Sequence, residues 1–235
     1  MSMSYDEIKK EQFIEDLRQE KIINHAKMNQ CIYLFVEGVS EEKTFPHLIS
    51  KAGFDLENNG VIIANYNGYS NLIHALRLLN KTLSNKRPVI VTIDNDVDGH
   101  KTIKKISEKE YLSKLIHMFP IPVENKVKYD NGFKGGSFEE MFDVEHFIDC
   151  CFSEIIMEKE LVNMKSKFYR KFDKNKPWYD QVRKFCALNG DTEFAYKKVI
   201  LAEYLMEECK SIPKKICKLV GLIKEVRDKY PVRHP

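Results

Sequence analysis

The sequence predicts an α/β protein with a parallel β-sheet flanked by helices, followed by a helical C-terminal part. In the first part of the chain, short apolar runs rich in aromatic and β-branched residues alternate with amphipathic segments of helix length. After residues 132–136, apolar residues recur mainly at helical spacing. We therefore expect an N-terminal amphipathic helix over 1–29, an α/β domain over 30–145 and a helical region over 146–235.

Three continuous apolar runs, at 31–36, 61–64 and 88–93, predict buried strands because Gly, Asn or Asp follows each of them. Helical patterns over 40–53 and 70–83 join these strands. A strand–helix–strand connection of this length makes neighbouring strands parallel.

The pattern is less regular beyond the third strand. Residues 100–117 fit two further helices, and residues 120–123 fit a fourth strand. The expected C-terminal helices lie near 137–162 with an interruption around Asp143, and near 177–188, 193–210 and 213–229.

Composition excludes several classes of protein. No apolar run approaches the roughly 20 residues that span a bilayer, so no membrane association is expected. The polar N-terminus does not resemble a signal peptide. The six cysteines form neither a CxxC pair nor a Cys/His zinc pattern, so we expect a reduced, cytoplasmic protein.

Charge is unevenly distributed along the chain, although the formal net charge is only +3. Residues 1–158 hold 19 Lys/Arg and 25 Asp/Glu, whereas residues 159–235 hold 19 Lys/Arg and 10 Asp/Glu. This division suggests cation binding in the front half and contact with a polyanion in the back half. Lys-rich helices that are simply solvated explain the back half equally well.

Carboxylates follow two of the predicted strands. Glu37 comes directly after the first strand, with Glu41 one helical turn further on. Asp94, Asp96 and Asp98 follow the third strand. In a parallel α/β sheet the binding crevice lies outside the carboxyl ends of the strands, so both groups can reach one crevice.

Clustered carboxylates repel one another unless a cation or a proton neutralises them. Carboxylate oxygens are the ligands that Mg²⁺ prefers, so the pattern predicts a site for Mg²⁺ or Mn²⁺. The other interpretation is a turn at Asp98-Gly99 and a favourable acidic residue at a helix start in Glu41.

These residues resemble the motifs of the Toprim domain, a Glu-Gly after the first strand and an Asp-x-Asp after a later strand. Here they are Glu37-Gly38 and Asp94-Asn95-Asp96. The resemblance is closer to the OLD (overcoming lysogenization defect) family of nucleases, and its further support is the stretch 35–42 and the stretch 60–68. It is good over about residues 30–100 and thinner beyond.

The OLD resemblance implies a further acidic residue at a later helix start and a lysine in the helical part. Glu139 fits the first place, with Glu140 beside it, and Lys198 fits the second. It also implies a metal-dependent endonuclease with two cations, one held by Asp94, Asp96 and Glu37, the other by Glu41, Glu139 and Asp98. In that chemistry Glu37 could instead act as a general base or acid, and Lys198 would neutralise charge on the phosphate.

Substrate contact is predicted for the basic segment that contains Lys165, Lys167, Arg170 and Lys171, because cations there alternate with aromatic residues. The alternative is that the aromatic residues pack into the core. The sequence does not separate DNA from RNA as the substrate, and it leaves open whether the chain forms a homo-oligomer.

OLD proteins usually carry an ATPase domain ahead of the Toprim part, and this sequence has no G-x-x-x-x-G-K-[ST] motif. The resemblance then implies an anti-phage defence effector whose partner is a separate ABC-type ATPase. Three other functions stay open: a non-catalytic regulator of such an ATPase, an RNA-processing Toprim nuclease, and a phosphatase or receiver domain that uses Asp-x-Asp.

Overall fold

The computed structural model describes residues 12, 14–15, 17–23, 29–82, 88–108, 116–120 and 126–233, without the side chains of 79–82 and 116–120. Its strands are β1 Ile32–Val36, β2 Val61–Asn65, β3 Val89–Ile93, β4 Ile116–Pro120, β5 Val127–Lys128 and β6 Lys134–Gly135. Its helices are α1 Val39–Lys51, α2 Tyr69–Thr82, α3 Val97–Ser107, α4 Val144–Cys151, α5 Lys159–Val162, α6 Lys165–Tyr169, α7 Trp178–Leu188, α8 Lys198–Glu207 and α9 Lys214–Lys229. Short 3₁₀ helices cover Glu139–Met141 and Glu193–Tyr196.

Four parallel strands form the main sheet, in the order β2-β1-β3-β4. From β1 the chain moves one way to β2 and then crosses back to β3 on the other side of β1. The order therefore reverses between β1 and β3, which is where ligand crevices open in doubly wound sheets. A small antiparallel hairpin of β5 and β6 lies outside this sheet.

Helices cover both faces of the sheet, which explains why its strands are apolar on both sides. On one face, Phe35 and Val91 pack with Leu72 and Leu76 of α2. On the other face, alternate residues such as Leu34 and Ile90 pack with α1 and the C-terminal helices in one continuous core.

The C-terminal helices extend this second core rather than forming a separate one. Helices α8 and α9 both pack against α1, and α8 also packs against α4. Trp178, at the start of α7, is fully buried and its ring contacts those of Phe147 and Phe172. The helical part is therefore positioned against the helix that follows β1.

The predicted fold class is confirmed, including the parallel sheet, the flanking helices and the helical C-terminal part. Of the two helices expected over 100–117, the first corresponds to α3, which ends at Ser107, while residues 109–115 lie outside the described part; the expectation is wrong for residues 116–117, which belong to the edge strand β4. Pro120 lacks a backbone N–H, and an edge strand tolerates that loss. The predicted strand over 120–123 falls mostly on residues outside the described part.

Residues of the expected N-terminal helix are helical where the structure describes them, namely at 12, 14–15 and 17–23. All six cysteines are free thiols. Among the described residues, no helix combines the length and the apolar character that crossing a membrane requires.

Candidate metal centre

Two carboxylates meet at the topological switch point of the sheet. Glu37 follows β1 and Asp94 follows β3, and these two strands are hydrogen-bonded neighbours with Phe35 opposite Val91. Neighbouring strands lie about 5 Å apart, so the backbone alone places the two side chains in one crevice.

The turn after β2 braces this crevice. Tyr66 donates a backbone hydrogen bond to Val36 O at 3.0 Å, and its hydroxyl donates to Thr92 O at 3.0 Å. Asn67 and Gly68 both adopt positive φ values, 49° and 91°, which Asn and Gly tolerate best. The turn thus connects the ends of β1 and β3 and carries Tyr69, which neighbours Glu37, into α2.

Asp96 begins α3 as its N-cap residue. Its Oδ1 accepts a hydrogen bond from Gly99 N at 2.7 Å. A Cβ atom on Gly99 would lie 2.2 Å from Asp94 O, so this position requires glycine. Asp96 and Asp94 are therefore fixed on a tight loop rather than on a free one.

The hairpin β5–β6 brings a third acidic segment to the same loop. Asn95 and Gly136 exchange two backbone hydrogen bonds, at 3.1 and 3.0 Å. A Cβ on Gly135 would lie 1.6 Å from Asn95 O, so the two backbones approach as closely as they do only because residue 135 is glycine. Residues 137–141 follow directly and carry Glu139 and Glu140.

Glu139 and Glu140 are both buried but have different partners. Glu140 accepts hydrogen bonds from Trp178 N at 2.9 Å and from Ser137 N at 2.8 Å, so backbone N–H groups bind each of its oxygens. The Ser137 hydroxyl lies 2.7 Å from Glu139 Oε2 and 2.8 Å from Glu140 Oε2 and can donate to either, whereas Glu139 is the one that faces Lys198. Glu140 therefore links structural elements, which leaves Glu139 as the better candidate ligand.

Lys198, the first residue of α8, reaches this site. Its Nζ lies 3.6 Å from Glu139 Oε1 and 5.6 Å from the centre of the Tyr179 ring. The charge of Glu139 raises the pKa of Lys198, which keeps its side chain cationic. About half of the side chain is exposed, so the ammonium lies at the border between the buried carboxylates and solvent.

Burial disfavours the charged form of the carboxylates. It raises the pKa of Asp94 well above its ordinary value, and the charges of Glu37 and Glu41 raise it further. Burial likewise raises the pKa of Glu37, whereas the neighbouring Tyr69 hydroxyl favours its charged form. Burial also raises the pKa of Glu41. The group therefore needs compensating positive charge to stay ionised.

The donor set fits a hard divalent cation. Among the described residues, Glu37 Oε2 and Asp94 Oδ1 are buried without a hydrogen-bond partner, and the available donors are all oxygens. In the described part of the chain, no three acidic, histidine or cysteine side chains already stand close enough together to enclose an ion.

The structure brings Glu37, Glu41, Asp94, Asp96 and Glu139 towards one another, but not Asp98. The Asp98 side chain is 70% exposed and pairs with Lys101 at 3.0 Å. Lys165 pairs with Asp149 at 2.6 Å. Phe168 is buried and Phe172 is half-buried in the core, as the alternative interpretation has it, whereas Tyr169 between them is 50% exposed.

The sequence interpretation missed Lys215. The interpretation of the Lys-rich C-terminal helices as simply solvated is wrong for Lys215, which is 1% exposed. Burial lowers the pKa of Lys215 to about 7, against the opposing charges of Asp94 and Glu41. Leu219 and Ile223 follow Lys215 at spacings of four and eight residues, which places Lys215 on the apolar face of α9, so helical periodicity could have distinguished it from the exposed Lys214 and Lys218.

Part of the chain matches a known protein family. Residues 32–96 match the family model described as "Overcoming lysogenization defect protein-like, TOPRIM domain". Toprim domains generally use divalent metal ions, and those of the OLD family point to metal-dependent, nuclease-type function. No curated protein matches the chain.

Two solved C-terminal regions of OLD proteins are among the structures similar to this chain. The one from Xanthomonas campestris pv. campestris is 15% identical with a TM-score of 0.49, over 84% of this chain and 94% of that one. The one from Burkholderia pseudomallei is 15% identical with a TM-score of 0.47, over 85% of this chain and 98% of that one.

Proposed function

We propose that this chain, which contains an OLD-like Toprim domain over residues 32–96, is an endonuclease that hydrolyses nucleic-acid phosphodiesters with Mg²⁺ or Mn²⁺. One observation supports it above the others. Glu37 and Asp94 present buried, unpartnered carboxylate oxygens at the switch point of the sheet. Buried carboxylate oxygens without partners need a proton or a cation to neutralise them, and one bound cation would satisfy both of these oxygens.

Two groups of carboxylates would hold the cations. Glu37, Asp94 and Asp96 belong to the ends of β1 and β3, whereas Glu41 and Glu139 approach from α1 and from the segment after β6. Bound divalent cations activate water and stabilise the oxygens of a phosphoryl displacement. Asp98 is exposed in this structure, so we assign it no ligand role.

Lys198 would contact the substrate phosphate. Its ammonium lies at the solvent border, held by Glu139 at 3.6 Å, where an incoming phosphodiester meets the buried carboxylates. A fixed cation at that position stabilises negative charge that develops on the phosphate oxygens. The Glu139 contact orients the lysine before substrate arrives.

Nucleic-acid binding would extend over α6 and the residues after it. Lys167, Arg170 and Lys171 are exposed there, and they can neutralise backbone phosphates. Because Phe168 and Phe172 pack inward and Tyr169 is exposed, we expect mainly phosphate contact from this segment, with Tyr169 as its aromatic ring for base stacking. Lys165 is held by Asp149 and would contribute less.

The cellular role that we propose is that of an anti-phage defence effector, activated by a separately encoded ABC-type ATPase. This part rests on the OLD resemblance of the Toprim residues.

The test is an incubation of the purified protein with plasmid DNA and with total tRNA, in Mg²⁺, in Mn²⁺ and in EDTA. Glu37→Gln and Asp94→Asn should each abolish cleavage, because each removes a ligand oxygen without a change of shape. The matched control is Glu57→Gln, an exposed carboxylate before β2, which should cut like the wild-type protein.

Cleavage that needs metal and is lost in both variants would establish the nuclease and its substrate class. Cleavage that persists in either variant would overturn the assignment of the site. If the wild-type protein cuts neither substrate even with a candidate ATPase added, a non-catalytic role becomes the better interpretation.

A further inference from the structure

Lys215 is a basic side chain in an unusual place. It is the second residue of α9 and is 1% exposed, and it is the one lysine or arginine in the described part of the chain that is buried. Its Nζ has no hydrogen-bond partner among the described residues. A buried ammonium without hydrogen bonds costs several kcal/mol unless nearby charge compensates for it.

The compensating charge comes from the candidate metal centre. Lys215 lies within electrostatic range of Asp94, Glu41, Glu140 and Glu139, and each of these carboxylates favours its charged form. They belong to three different segments, since Asp94 follows β3, Glu41 lies in α1, and Glu139 and Glu140 follow β6. Lys215 itself comes from a fourth segment, α9, which packs against α1.

Core packing alone does not explain a lysine at this position. Its helical neighbours on the buried side are apolar, including Ile216 and Leu219. Methionine would fill the same space without any charge to desolvate. The charge itself is therefore the feature that needs a role.

Lys198 fills only part of that role, in that its charge also favours the charged form of Glu41. Its side chain is about half exposed and forms an ion pair with Glu139. Glu37 and Asp94, which carry the unpartnered oxygens, lie at the ends of β1 and β3. Lys215 is the buried cation that acts on Asp94 and Glu41 from inside the protein.

We propose that Lys215 is a built-in counter-cation that holds the carboxylates of the metal centre together before a metal ion binds, and that it weakens metal binding in return. This inference rests on the proposed function only in taking the same carboxylates as metal ligands. Lys215 is in these terms a positioning residue, because it acts through Asp94 and Glu41 rather than on the substrate.

Two consequences follow from electrostatics. Without Lys215, the metal-free carboxylates repel one another with less compensation, so the metal-free fold loses an attraction that depends on Asp94 and Glu41 being charged. A divalent cation then enters a site with one less positive charge, so it binds more tightly. A lysine that merely fills space would produce neither effect.

The first test is a double-mutant cycle on the full chain in EDTA, which requires neither metal nor activity. Lys215→Met removes the attraction to the carboxylates and also the desolvation of the ammonium, so the difference between backgrounds is the measurement. The substitution should be less favourable for the melting temperature in the wild-type chain than in an Asp94→Asn background, by roughly 5 °C, because the attraction to Asp94 is lost only in the wild-type chain. Glu41→Gln provides a second background should Asp94→Asn fail to fold.

Lys218→Met is the matched control, because Lys218 is exposed on the same helix. It should leave the melting temperature unchanged in every background. Equal changes for Lys215→Met with and without the carboxylate substitutions would overturn the inference, because they would mean that the lysine does not couple to the carboxylates.

The second test is calorimetric titration with Mn²⁺ alone. We expect Lys215→Met to bind Mn²⁺ at least about tenfold more tightly than the wild-type protein. Weaker or equal binding would contradict the second half of the proposal. If wild-type protein and variant both fail to bind Mn²⁺, the proposed metal function fails, and the coupling in EDTA still decides the counter-cation role.

Discussion

Adjacent residues of one type have different roles at this site, and hydrogen bonding separates them. Glu139 and Glu140 are both buried glutamates in the same short 3₁₀ helix. The oxygens of Glu140 accept hydrogen bonds from two backbone N–H groups, one of them in α7. Glu139 instead faces a lysine ammonium. Sequence spacing alone favours neither residue.

Substitution of Glu140 should therefore lower stability, whereas substitution of Glu139 should lower cleavage activity. Glu140→Gln places an amide group against backbone N–H donors, and we expect a loss of about 1–3 kcal/mol in the free energy of unfolding. Glu139→Gln should change that free energy by less than about 1 kcal/mol but should lower cleavage at least about a hundredfold. Chemical denaturation and a plasmid or tRNA cleavage assay on both variants provide the measurements. If Glu139→Gln lowered stability and Glu140→Gln lowered cleavage, Glu140 rather than Glu139 would be the candidate ligand.

Neighbouring lysines on α9 also differ in their surroundings. Of the neighbouring lysines on α9, Lys215 is buried near carboxylates, whereas Lys214 and Lys218 are exposed. Helical periodicity indicates which face of α9 is apolar, but it does not indicate that a charged residue lies on that face for an electrostatic reason.

At the scale of elements, the site depends on one close backbone approach. The loop after β3 and the end of the β5–β6 hairpin are joined through Asn95 and Gly136. Gly135 makes this approach sterically possible. The contact carries Glu139 from a segment more than 40 residues further along the chain to the Asp94 loop.

Gly135→Ala should separate these two elements. The added Cβ would lie 1.6 Å from Asn95 O, so the backbone must shift. We expect a loss of roughly 1–3 kcal/mol in stability, together with weaker Mn²⁺ binding, because Glu139 moves away from Asp94. Thermal unfolding and Mn²⁺ titration measure both.

Gly221→Ala is the comparison for that experiment. Gly221 lies in α9, and an added Cβ meets nothing within 4 Å. Alanine is a better helix former than glycine, so we expect stabilisation of about 0.5–1 kcal/mol and unchanged Mn²⁺ binding. Equal behaviour of the two variants would show that the close approach at Gly135 does not matter.

At the scale of the whole molecule, the front and back halves of the chain meet in one core. The acidic residues Glu37 and Asp94 lie at the carboxyl ends of β1 and β3, and the basic helical part contributes Lys198 and Lys215 near them. The charge asymmetry of the sequence is therefore partly an internal pairing. The exposed cations in α6 and in the residues that follow it are available for contact with a polyanion.

This pairing predicts how metal-free stability depends on pH. The folded-state pKa values of Asp94, Glu37, Glu41 and Glu140 are raised mainly by burial above ordinary values of 3.8 or 4.5. A raised carboxylate pKa means that the folded state binds protons more tightly, so its contribution is present at low pH and is lost as pH rises through the raised pKa. Lys215, with its pKa lowered to about 7, acts in the opposite sense only between about pH 7 and its unfolded value of 10.5.

In EDTA we therefore expect a lower melting temperature at pH 7 than at pH 5.5. A divalent cation should raise the melting temperature more at pH 7 than at pH 5.5, because binding requires deprotonated carboxylates. Scanning calorimetry with and without Mn²⁺ checks both expectations. A melting temperature in EDTA that rises between these two pH values would contradict the assigned burial of the carboxylates.

The sequence by itself determined the βαβ arrangement of residues 32–93 and the position of carboxylates after β1 and β3. Continuous apolar runs and helical periodicity are local signals, and the parallel topology follows from the length of the connections. Glu37 and Asp94 alone predict an oxygen-donor site at the carboxyl ends of these two strands.

Only the tertiary structure decided which of the neighbouring charged groups belong to the site. Asp98 lies one residue into α3 and is turned towards solvent and Lys101, whereas Lys215 is buried because α9 packs on α1. Glu139 enters the site because a glycine allows two backbones to touch. These outcomes depend on contacts between segments that are distant in sequence, and the environment of a charged side chain is set by those contacts rather than by its neighbours along the chain.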